Sequence, residues 1–473
     1  EPVRMLNDKE SPFTLTLTDS GLCLPVVRFN GEEALNQPYR FDIELIGLAP
    51  AVTPGTLVQQ PIFLRLDDHH GIHGMIDSAS CEHRGAHRIG YRLIVVPALQ
   101  RMAQPSKRRV FVQLSVPQIL ERLLAENALP ADSYRIEMTV GQYPVRPFCV
   151  QFEESDLALL HRLCEEEGIH YHFEHSTDGH VVVFADDSLS LPQEPSLVPF
   201  MEDEQASSPC VSSLYQHHHA APIPTLHAVR NRGLQTADGD AANQPPSKPS
   251  LPMPSPQQRH SEQRSRRHLE RQRCQHRSIN GRSDCIGLFS GHLLQVTEHP
   301  ISQFNEQWRI TRLRHHGQHP SILDPAATVH RYYNDFTAQP WSTDYRPPLQ
   351  QPRPSIAGYH LAQVLGTPGQ PARLDAQGRI AVRLWPSQPQ SPPVADTDTE
   401  AIWLPIAMTR ANGRIAPDEL PSVGSEVWVS FLDSDPDRPI LCLGNTRNPT
   451  PRETPSATDS SLLLDWLLNG THL

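Results

Sequence analysis

The alternation of hydrophobic and polar residues predicts strands over most of the first hundred positions. Apolar residues recur at every second position of 13–18 and of 39–45, which is the period of a strand with one buried face. Short β-rich runs at 62–66 and 93–96 continue the series. Because no long helical stretch interrupts these runs, they predict an antiparallel sheet or barrel.

The period changes to that of a helix at two places. Ser115 and Gln118 form a capping-box pattern before apolar residues at helical spacing, which predicts a helix near 115–128. A second helix is predicted over 155–167, because leucines recur on one face and Gly168 suits the left-handed position that ends many helices. The residues that follow alternate again and predict a hairpin.

Five short strands are predicted in the C-terminal part of the chain. They suit a closed sheet of the OB type, which removes exposed strand edges. The last two flank Asp435-Pro436-Asp437-Arg438, which fits a type I turn because proline fixes φ at its second position. The five runs are 361–365, 378–385, 402–407, 425–431 and 440–443.

The segment between these regions is proline-rich and then arginine-rich. Residues 243–258 predict a stiff, extended connector. A helix over 259–282 would be polar on nearly every side, with Leu269 and Cys274 as its only residues to bury. We interpret it as a solvated bridging helix, with a phosphate-binding face as the alternative.

The amino-acid composition limits the classes of protein to which the chain can belong. The chain has 473 residues, 47 prolines and a formal net charge of −12, and this acidic balance argues against a nucleic-acid protein. Its eight cysteines form no CxxC pair, which favours free thiols in a reducing compartment over a zinc site or a disulfide framework. No apolar run reaches the length of about 18 residues that a membrane span needs, and no secretory signal is recognisable.

The sequence carries no recognisable motif for catalysis or for cofactor binding, so no catalytic, cofactor-binding or metal-binding residue is predicted. Histidines cluster at 69–73, 217–219 and 315–319, and we interpret them as solvent-exposed rather than as metal ligands. Glu165-Glu166-Glu167 lie at a predicted helix C-terminus, where negative charge is unfavourable. One hypothesis is that arginines of a neighbouring chain contact them; the other is that they have no special role.

Two long stretches resemble one family. Residues 151–175, QFEESDLALLHRLCEEEGIHYHFEH, and residues 421–444, PSVGSEVWVSFLDSDPDRPILCLG, are similar to VgrG, the spike-tip protein of type VI secretion systems, which is related to contractile phage tail hub and spike proteins. Leu159 stands where an aromatic residue is more usual. The second stretch carries the family-motif residues Gly424, Glu426, Asp435, Pro436, Asp437, Arg438 and Pro439.

The resemblance implies a mainly β fold with short helices, in which a hub of two β-barrels precedes an OB-fold barrel. The expected domains are 1–348, 349–446 and a tail over 447–473. It also implies a homotrimer that caps the Hcp tube, carries a PAAR-type tip protein and an effector or adaptor, contacts baseplate components and punctures a target membrane. Such a protein has no enzymatic activity, no cofactor and no nucleic-acid partner. It is assembled in the bacterial cytoplasm and exported without a signal peptide.

Two alternatives from other classes remain. One is a cell-wall hydrolase carried on a tail hub, and the other is an OB-fold nucleic-acid binder. The tail adds a separate expectation, because Leu463, Trp466 and Leu467 lie together at helical spacing. They form a candidate anchor for a partner, for a tip cap or for the trimer itself. The alternative is that they begin the next module of a longer protein, since relatives continue into a β-helix needle.

Overall fold

The computed structural model describes residues 12–443, apart from 49, 86, 203–207, 221–254, 320–330, 387–400 and 408–418. Strands dominate this part of the chain and helices are few, as the sequence predicts. The chain divides into two compact units. The first contains 1–107, 114–146 and 154–353, and the second contains 108–113, 147–153 and 354–473.

Six strands of the first unit close into a barrel. Its strand order is β1-β4-β5-β6-β3-β2, and β1 also pairs with β2, so no edge is left open. The predicted alternation is confirmed, because Phe13, Leu15, Tyr39 and Phe41 lie in the buried core. The elements are β1 (Thr14–Leu17), β2 (Cys23–Ala34), β3 (Gln37–Leu48), the short helix α1 (Pro54–Leu57), β4 (Pro61–Arg65), β5 (Gly71–His83) and β6 (Arg88–Val96).

Two helices and a small sheet follow in the chain. Both predicted helices are confirmed: the backbone N–H of Ser115 donates to Gln118 Oε1 (2.8 Å) at the start of α2, and α3 ends at Gly168 with φ of +72°. Strands β10, β11 and β8 form a three-stranded sheet. The elements are β7 (Ser106–Leu114), α2 (Val116–Glu126), β8 (Tyr134–Glu137), β9 (Arg146–Ser155), α3 (Asp156–Glu167), β10 (His170–His175) and β11 (His180–Ala185).

A second, nearly closed barrel completes the first unit. Its strand order is β12-β15-β16-β17-β14-β13, and a single bridge between Phe200 and Val211 brings its two ends together. Trp308 and Ile310 are fully buried in its core. The elements are β12 (Pro195–Pro199), β13 (Val211–His218), α4 (Pro256–His276), β14 (Arg277–Ser283), β15 (Leu293–Thr297), β16 (Gln307–Gln318) and β17 (Arg331–Pro340).

The two barrels of the first unit share one continuous sheet. Strand β16 of the second barrel pairs antiparallel with β2 of the first, from Arg312 opposite Ala34 to Gln318 opposite Arg28. Because backbone hydrogen bonds run across this junction, the barrels are fused side by side rather than joined by a linker. Among the described residues, no helix has the length and apolar character needed to cross a membrane.

The second unit is a five-stranded barrel of the OB type. Its order is β20-β19-β18-β21-β22, and a parallel bridge between Ile406 and Leu441 returns the last strand to the first. All five strands predicted from the sequence are present in the described part. They are β18 (Tyr359–Val364), β19 (Ile380–Leu384), β20 (Ile402–Leu404), β21 (Glu426–Phe431) and β22 (Pro439–Cys442).

The second unit is not formed by a C-terminal segment alone. Residues 108–113 and 147–153 belong to it although they come from the N-terminal half, and Val150 is buried in its core. The sequence-based limits 1–348 and 349–446 did not include this contribution, since nothing in the local pattern of a strand tells which barrel it joins.

Candidate functional site

The arginine-rich helix α4 buries one polar face that carries two of its arginines. Gln263, Arg267 and Arg271 are the buried residues of this helix, and their spacing of four places them on one side. Leu269, by contrast, is 42% exposed. The prediction is therefore wrong for Leu269 and for the face that buries arginines, whereas Cys274 is half-buried and most other positions of the helix are exposed. The physical reason for the buried arginines is that the guanidinium groups find carbonyl and carboxylate partners inside the protein, which local sequence does not show. The helix also ends at His276, so residues 277–282 form a strand and not its last turns.

The partners of the α4 arginines are the groups around the end of α3. Arg267 donates to Tyr143 Oη (2.8 Å) and to the carbonyl oxygen of Glu167, and its Nη2 lies 3.4 Å from Asp186 Oδ2. Arg271 donates to the carbonyl oxygen of Glu165. These bonds join α4 to α3 through charge-assisted contacts at buried positions.

Arg346 adds a third cation to the same place. Its Nη1 donates to the carbonyl oxygens of Gly168 (3.0 Å) and Asp186 (2.7 Å), and its Nε donates to Glu270 Oε2 (2.7 Å). The last carbonyls of a helix have no intrahelical partner and carry the negative end of the helix dipole. Guanidinium groups are suited to both, so we name Arg267, Arg271 and Arg346 the arginine clasp of α3.

The three consecutive glutamates at the end of α3 are bonded within this chain. Glu165 Oε2 accepts the backbone N–H groups of Gln350 (2.9 Å) and Gln351 (2.8 Å). Glu166 lies 3.6 Å from both Arg162 and Arg353. The hypothesis that arginines of a neighbouring chain explain these glutamates is therefore not needed, because arginines of the same chain contact them.

Glu167 is the most strongly held of the three. It pairs with Arg146 (2.6 Å) and with His260 of α4 (2.8 Å). Burial alone raises the pKa of this carboxyl, but the hydrogen bond from His260 and the charge of Arg146 lower it to about 2. A carboxylate that stays ionised between Arg146 and His260 stabilises the structure and is poorly suited to proton transfer at neutral pH.

The N-terminus of α3 is held by a helix cap and by buried ion pairs. Ser155 Oγ accepts the backbone N–H of Ala158 as the helix cap, and buried Asp156 in the first turn pairs with Lys107 (2.6 Å). Glu154 and Arg162, both buried, form an ion pair of 2.5 Å. The stretch 151–175 that resembles VgrG thus encodes a helix fixed at both ends by ionic contacts.

The second family-like stretch forms the β21–β22 hairpin of the OB-type barrel. Gly424 has φ of +87° and its N–H donates to the carbonyl oxygen of Val364 (2.8 Å). The predicted turn is confirmed, because Arg438 N–H donates to the carbonyl oxygen of Asp435 (3.0 Å) and Asp437 N–H donates to Asp435 Oδ1 (3.0 Å).

The remaining motif residues complete this hairpin. Pro436 and Pro439 are buried, Glu426 is exposed at the start of β21, and Arg438 pairs with Asp433. These residues shape a turn and a strand pair. The candidate anchor residues Leu463, Trp466 and Leu467 lie outside the described residues.

The three histidine clusters differ from one another in the structure. His217, His218 and His219 are exposed as predicted, but His73 and His315 are buried, so solvent exposure is wrong for these two. His315 Nδ1 is 2.7 Å from Tyr332 Oη, which explains how an imidazole is accommodated there. Within the described part of the chain, no group of three His, Cys, Asp or Glu residues could hold a metal ion.

Sequence reasoning missed the arginine clasp, although a signal for it existed. The i, i+4, i+8 spacing of the buried face of α4 is visible in the sequence, and three consecutive acids stand at the end of another helix. What was missing is the pairing of the two, since they are about a hundred residues apart.

Comparison with known proteins identifies the family that has this architecture. A family model described as the phage tail baseplate hub (GPD) matches residues 32–321, more than half of the chain. The chain belongs to this family. The type VI secretion system spike protein VgrG5 of Pseudomonas aeruginosa is 34% identical over 474 residues, covering 94% of this chain and 59% of the relative. The resemblance to VgrG is confirmed, and the chain spans less than two thirds of that hub-family relative.

Solved structures support the same fold. An E. coli component of the type VI secretion system, described as similar to the T4 bacteriophage tail proteins gp27 and gp5, matches with a TM-score of 0.67 and 22% identity, over 90% of this chain and 98% of that one. A chain of a Francisella PdpA–VgrG complex matches with a TM-score of 0.57 and 9% identity, over 94% of this chain and 72% of that one. At these identities the likeness concerns the hub-family fold.

Proposed function

We propose that this chain is the structural hub and tip of a type VI secretion spike, assembled as a homotrimer. The observation that carries the proposal is the match to the hub family over 32–321 together with the similarity to a VgrG spike protein over 94% of the chain. The mechanism is mechanical. The hub transmits axial force from a contracting sheath and positions cargo.

The fused barrels support an assembly of three copies. Each chain contributes two barrels that share the β2–β16 junction, so three chains in a ring present six barrels. Closed rings form from head-to-tail interfaces when the rotation closes. A ring of six similar barrels would match a six-fold tube of Hcp, whereas a monomer would not.

The proposed partners follow the axis of this assembly. The Hcp tube and baseplate components contact the hub, and a PAAR-type tip protein with an effector or adaptor forms the tip of the spike. The PdpA–VgrG complex named above concerns another protein and supports only the idea that such hubs carry partners. The protein would be made in the cytoplasm, leave by type VI secretion without a signal peptide and contact the target membrane transiently.

We infer that the chain acts without catalysis. The carboxylates gathered around α3 are engaged by arginines, by His260 and by backbone N–H groups, which supports a structural role for them. The hydrolase alternative is tested by incubating the pure protein with peptidoglycan. Turnover above about one per minute that disappears on a single substitution would overturn the inference, since enzymes typically run near 10 per second.

The apolar tail is proposed as an anchor. Leu463, Trp466 and Leu467 would dock on a tip cap, an effector or the trimer body, because burial of each leucine contributes about 1.5–3 kcal/mol. Deletion of 459–473 should then lower the melting temperature or abolish recruitment of a partner. If the trimer, its melting temperature and recruitment all survive, the anchor is absent.

Assembly on Hcp tests the function as a whole. Purified chain is mixed with preformed Hcp rings, and co-sedimentation and electron microscopy follow. The proposal predicts one hub particle at the end of a ring stack. Trimers that form and yet leave Hcp rings free would contradict it.

A further inference from the structure

A largely buried histidine cluster joins the β10–β11 hairpin to the first barrel. We define it as His73 of β5, His175 at the end of β10 and His180 at the start of β11. The rings of His73 and His180 are 5.2 Å apart, and those of His175 and His180 are 6.3 Å apart. The ring of Tyr39 in β3 lies 5.0 Å from that of His175 and 5.9 Å from that of His180. Two separate elements of the fold therefore meet at three imidazoles.

The hydrogen bonds of the cluster fix where each proton sits. The backbone N–H of Ala98 donates to His180 Nε2 (3.0 Å), so the ring proton of neutral His180 is on Nδ1. That proton points at His73 Nδ1, 2.9 Å away, so His73 accepts there and carries its own proton on Nε2. The backbone N–H of His73 donates to His175 Nδ1 (3.2 Å). Each ring therefore uses its one lone pair as an acceptor.

This arrangement requires three neutral rings. A proton added to His180 occupies Nε2 and faces the N–H of Ala98. A proton added to His73 occupies Nδ1 and faces the proton of His180, and a proton added to His175 faces the N–H of His73. Protonation of any ring thus replaces a hydrogen bond by two opposed donors and adds a positive charge at a mostly buried site.

The charged groups around the cluster offer little compensation. Arg101, in the turn that follows β6, is near His180 and disfavours a second positive charge. Asp178 in the hairpin turn is near His73, and it is exposed. Glu33 of β2 and His315 of β16 are near His175, but Glu33 already accepts the backbone N–H of Ser290 and lies 3.4 Å from His315.

The pKa shifts of the three imidazoles agree with this hydrogen-bond arrangement. Burial, with the neighbouring imidazoles and Arg101, lowers the pKa of His180 to about 3. Burial lowers the pKa of His175 to about 4 even though Glu33 raises it. Burial also lowers the pKa of His73, against the opposing effect of Asp178. His175 and His180 therefore stay neutral in the docked state well below the ordinary pKa of histidine, about 6.5, and the pKa of His73 is shifted in the same direction.

We propose that the histidine cluster is an acid-sensitive latch, which holds the β10–β11 hairpin on the first barrel while its rings are neutral and releases it when they are protonated. Release would act on more than the hairpin. Helix α3 leads directly into β10, and its last turn is the part that the arginine clasp holds. The latch therefore connects the acidity of the medium to the docking of α3 and α4 on the hub.

Hydrogen exchange of the whole chain tests the latch. Protection of residues 170–185, corrected for the intrinsic effect of pH, is compared between pH 7.5 and pH 5.0, with residues 26–45 of the barrel as the internal reference. Each ring that regains an ordinary pKa on release contributes up to about 30-fold at pH 5.0. We expect the hairpin to lose more than about 100-fold in protection, while the reference changes much less.

A double substitution distinguishes the effect of ring protonation from the effect of side-chain packing. Asparagine places an amide oxygen close to the position of Nδ1, so the double variant His73→Asn/His175→Asn keeps both acceptors and cannot be protonated there. It removes the contributions of His73 and His175, so it should lose at least about 30-fold less protection than the wild type over the same pH range; His180 and His170 of β10, whose pKa values burial also lowers to about 3, still contribute. The control His69→Asn alters an exposed histidine and should behave like the wild type.

The wild type supplies a measurement that needs no substitution. In NMR titrations the three rings should remain neutral until hairpin protection is lost, and both changes should occur together. The latch is overturned if the rings titrate near pH 6.5 while the hairpin stays protected. Equal loss of protection in the hairpin and in 26–45, or an undiminished pH effect in the double variant, overturns it as well.

Discussion

Gly168 shows how one residue ends a helix and admits a charge cluster. Its φ of +72° is favourable for glycine and strained for other residues. It lets the N–H of Ile169 return to the carbonyl oxygen of Cys164 (2.8 Å), the bond that closes a helix C-terminus. A side chain here would also come within 3.0 Å of Arg267 Cδ. The residue therefore serves both the backbone and the arginine clasp.

Gly168→Ala should lower the free energy of unfolding by about 1–2 kcal/mol, because a left-handed conformation costs an L-residue roughly this much. The measurement is urea denaturation of the purified variant. Gly179→Ala is the matched control, since Gly179 lies in a turn with no atom within 4 Å of an added Cβ and no positive φ. Equal stability of the two variants would contradict the account of the helix end.

His161 makes a prediction about pH at the same scale. Its Nε2 lies 2.7 Å from Tyr171 Oη, and burial lowers its pKa to about 4. The unfolded chain takes up this proton near pH 6.5, so the stability contributed by neutral His161 is complete above that pH and is lost as the pH falls towards 4.

His161→Gln should reduce the pH dependence of the unfolding free energy by about 1.4 kcal/mol per pH unit between pH 6 and pH 4.5, the contribution of one proton. Unfolding curves of wild type and variant at several pH values give this difference. His69→Gln, at an exposed position, should leave the slope unchanged. A wild-type stability that stays flat or rises on acidification would show that the ring is not held neutral.

Among the secondary-structure elements, helix α4 differs most from what its sequence predicts. Strands such as β1 and β3 and the helices α2 and α3 could be predicted, because alternation, a capping box and Gly168 are local signals. The burial of Arg267 and Arg271 could not, because it depends on carbonyl groups of α3 and on Asp186, which are distant in sequence. Buried histidines such as His73 were misjudged for the same reason, since their partners are distant backbone and ring atoms.

Arg267→Met should cost about 3 kcal/mol of unfolding free energy, because it leaves Asp186 and the carbonyl oxygen of Glu167 without this buried donor. Arg266→Met, one position away and exposed, changes the same net charge and should stay within about 0.5 kcal/mol of wild type. Thermal or urea unfolding measures both. If the two substitutions cost the same, the clasp does not stabilise the packing of α4 on α3.

At the scale of the whole molecule, the sequence pattern alone predicts β structure with two helices and a closed C-terminal sheet, but not how the barrels of the first unit are joined. The fusion of two barrels through β2 and β16 brings together residues nearly three hundred positions apart, and local periodicity cannot reveal such a pairing. The hub of two barrels could be expected only from the resemblance of 151–175 and 421–444 to VgrG. The role of the motif residues in holding α3 and the β21–β22 hairpin required the structure.

The central claim is that these barrels belong to a ring of three chains. Light scattering on the purified chain measures it most directly, over a range of concentrations and at neutral pH. A ring of three chains would give a particle of three times the chain mass of 53.1 kDa. A strictly monomeric species at high micromolar concentration would contradict it.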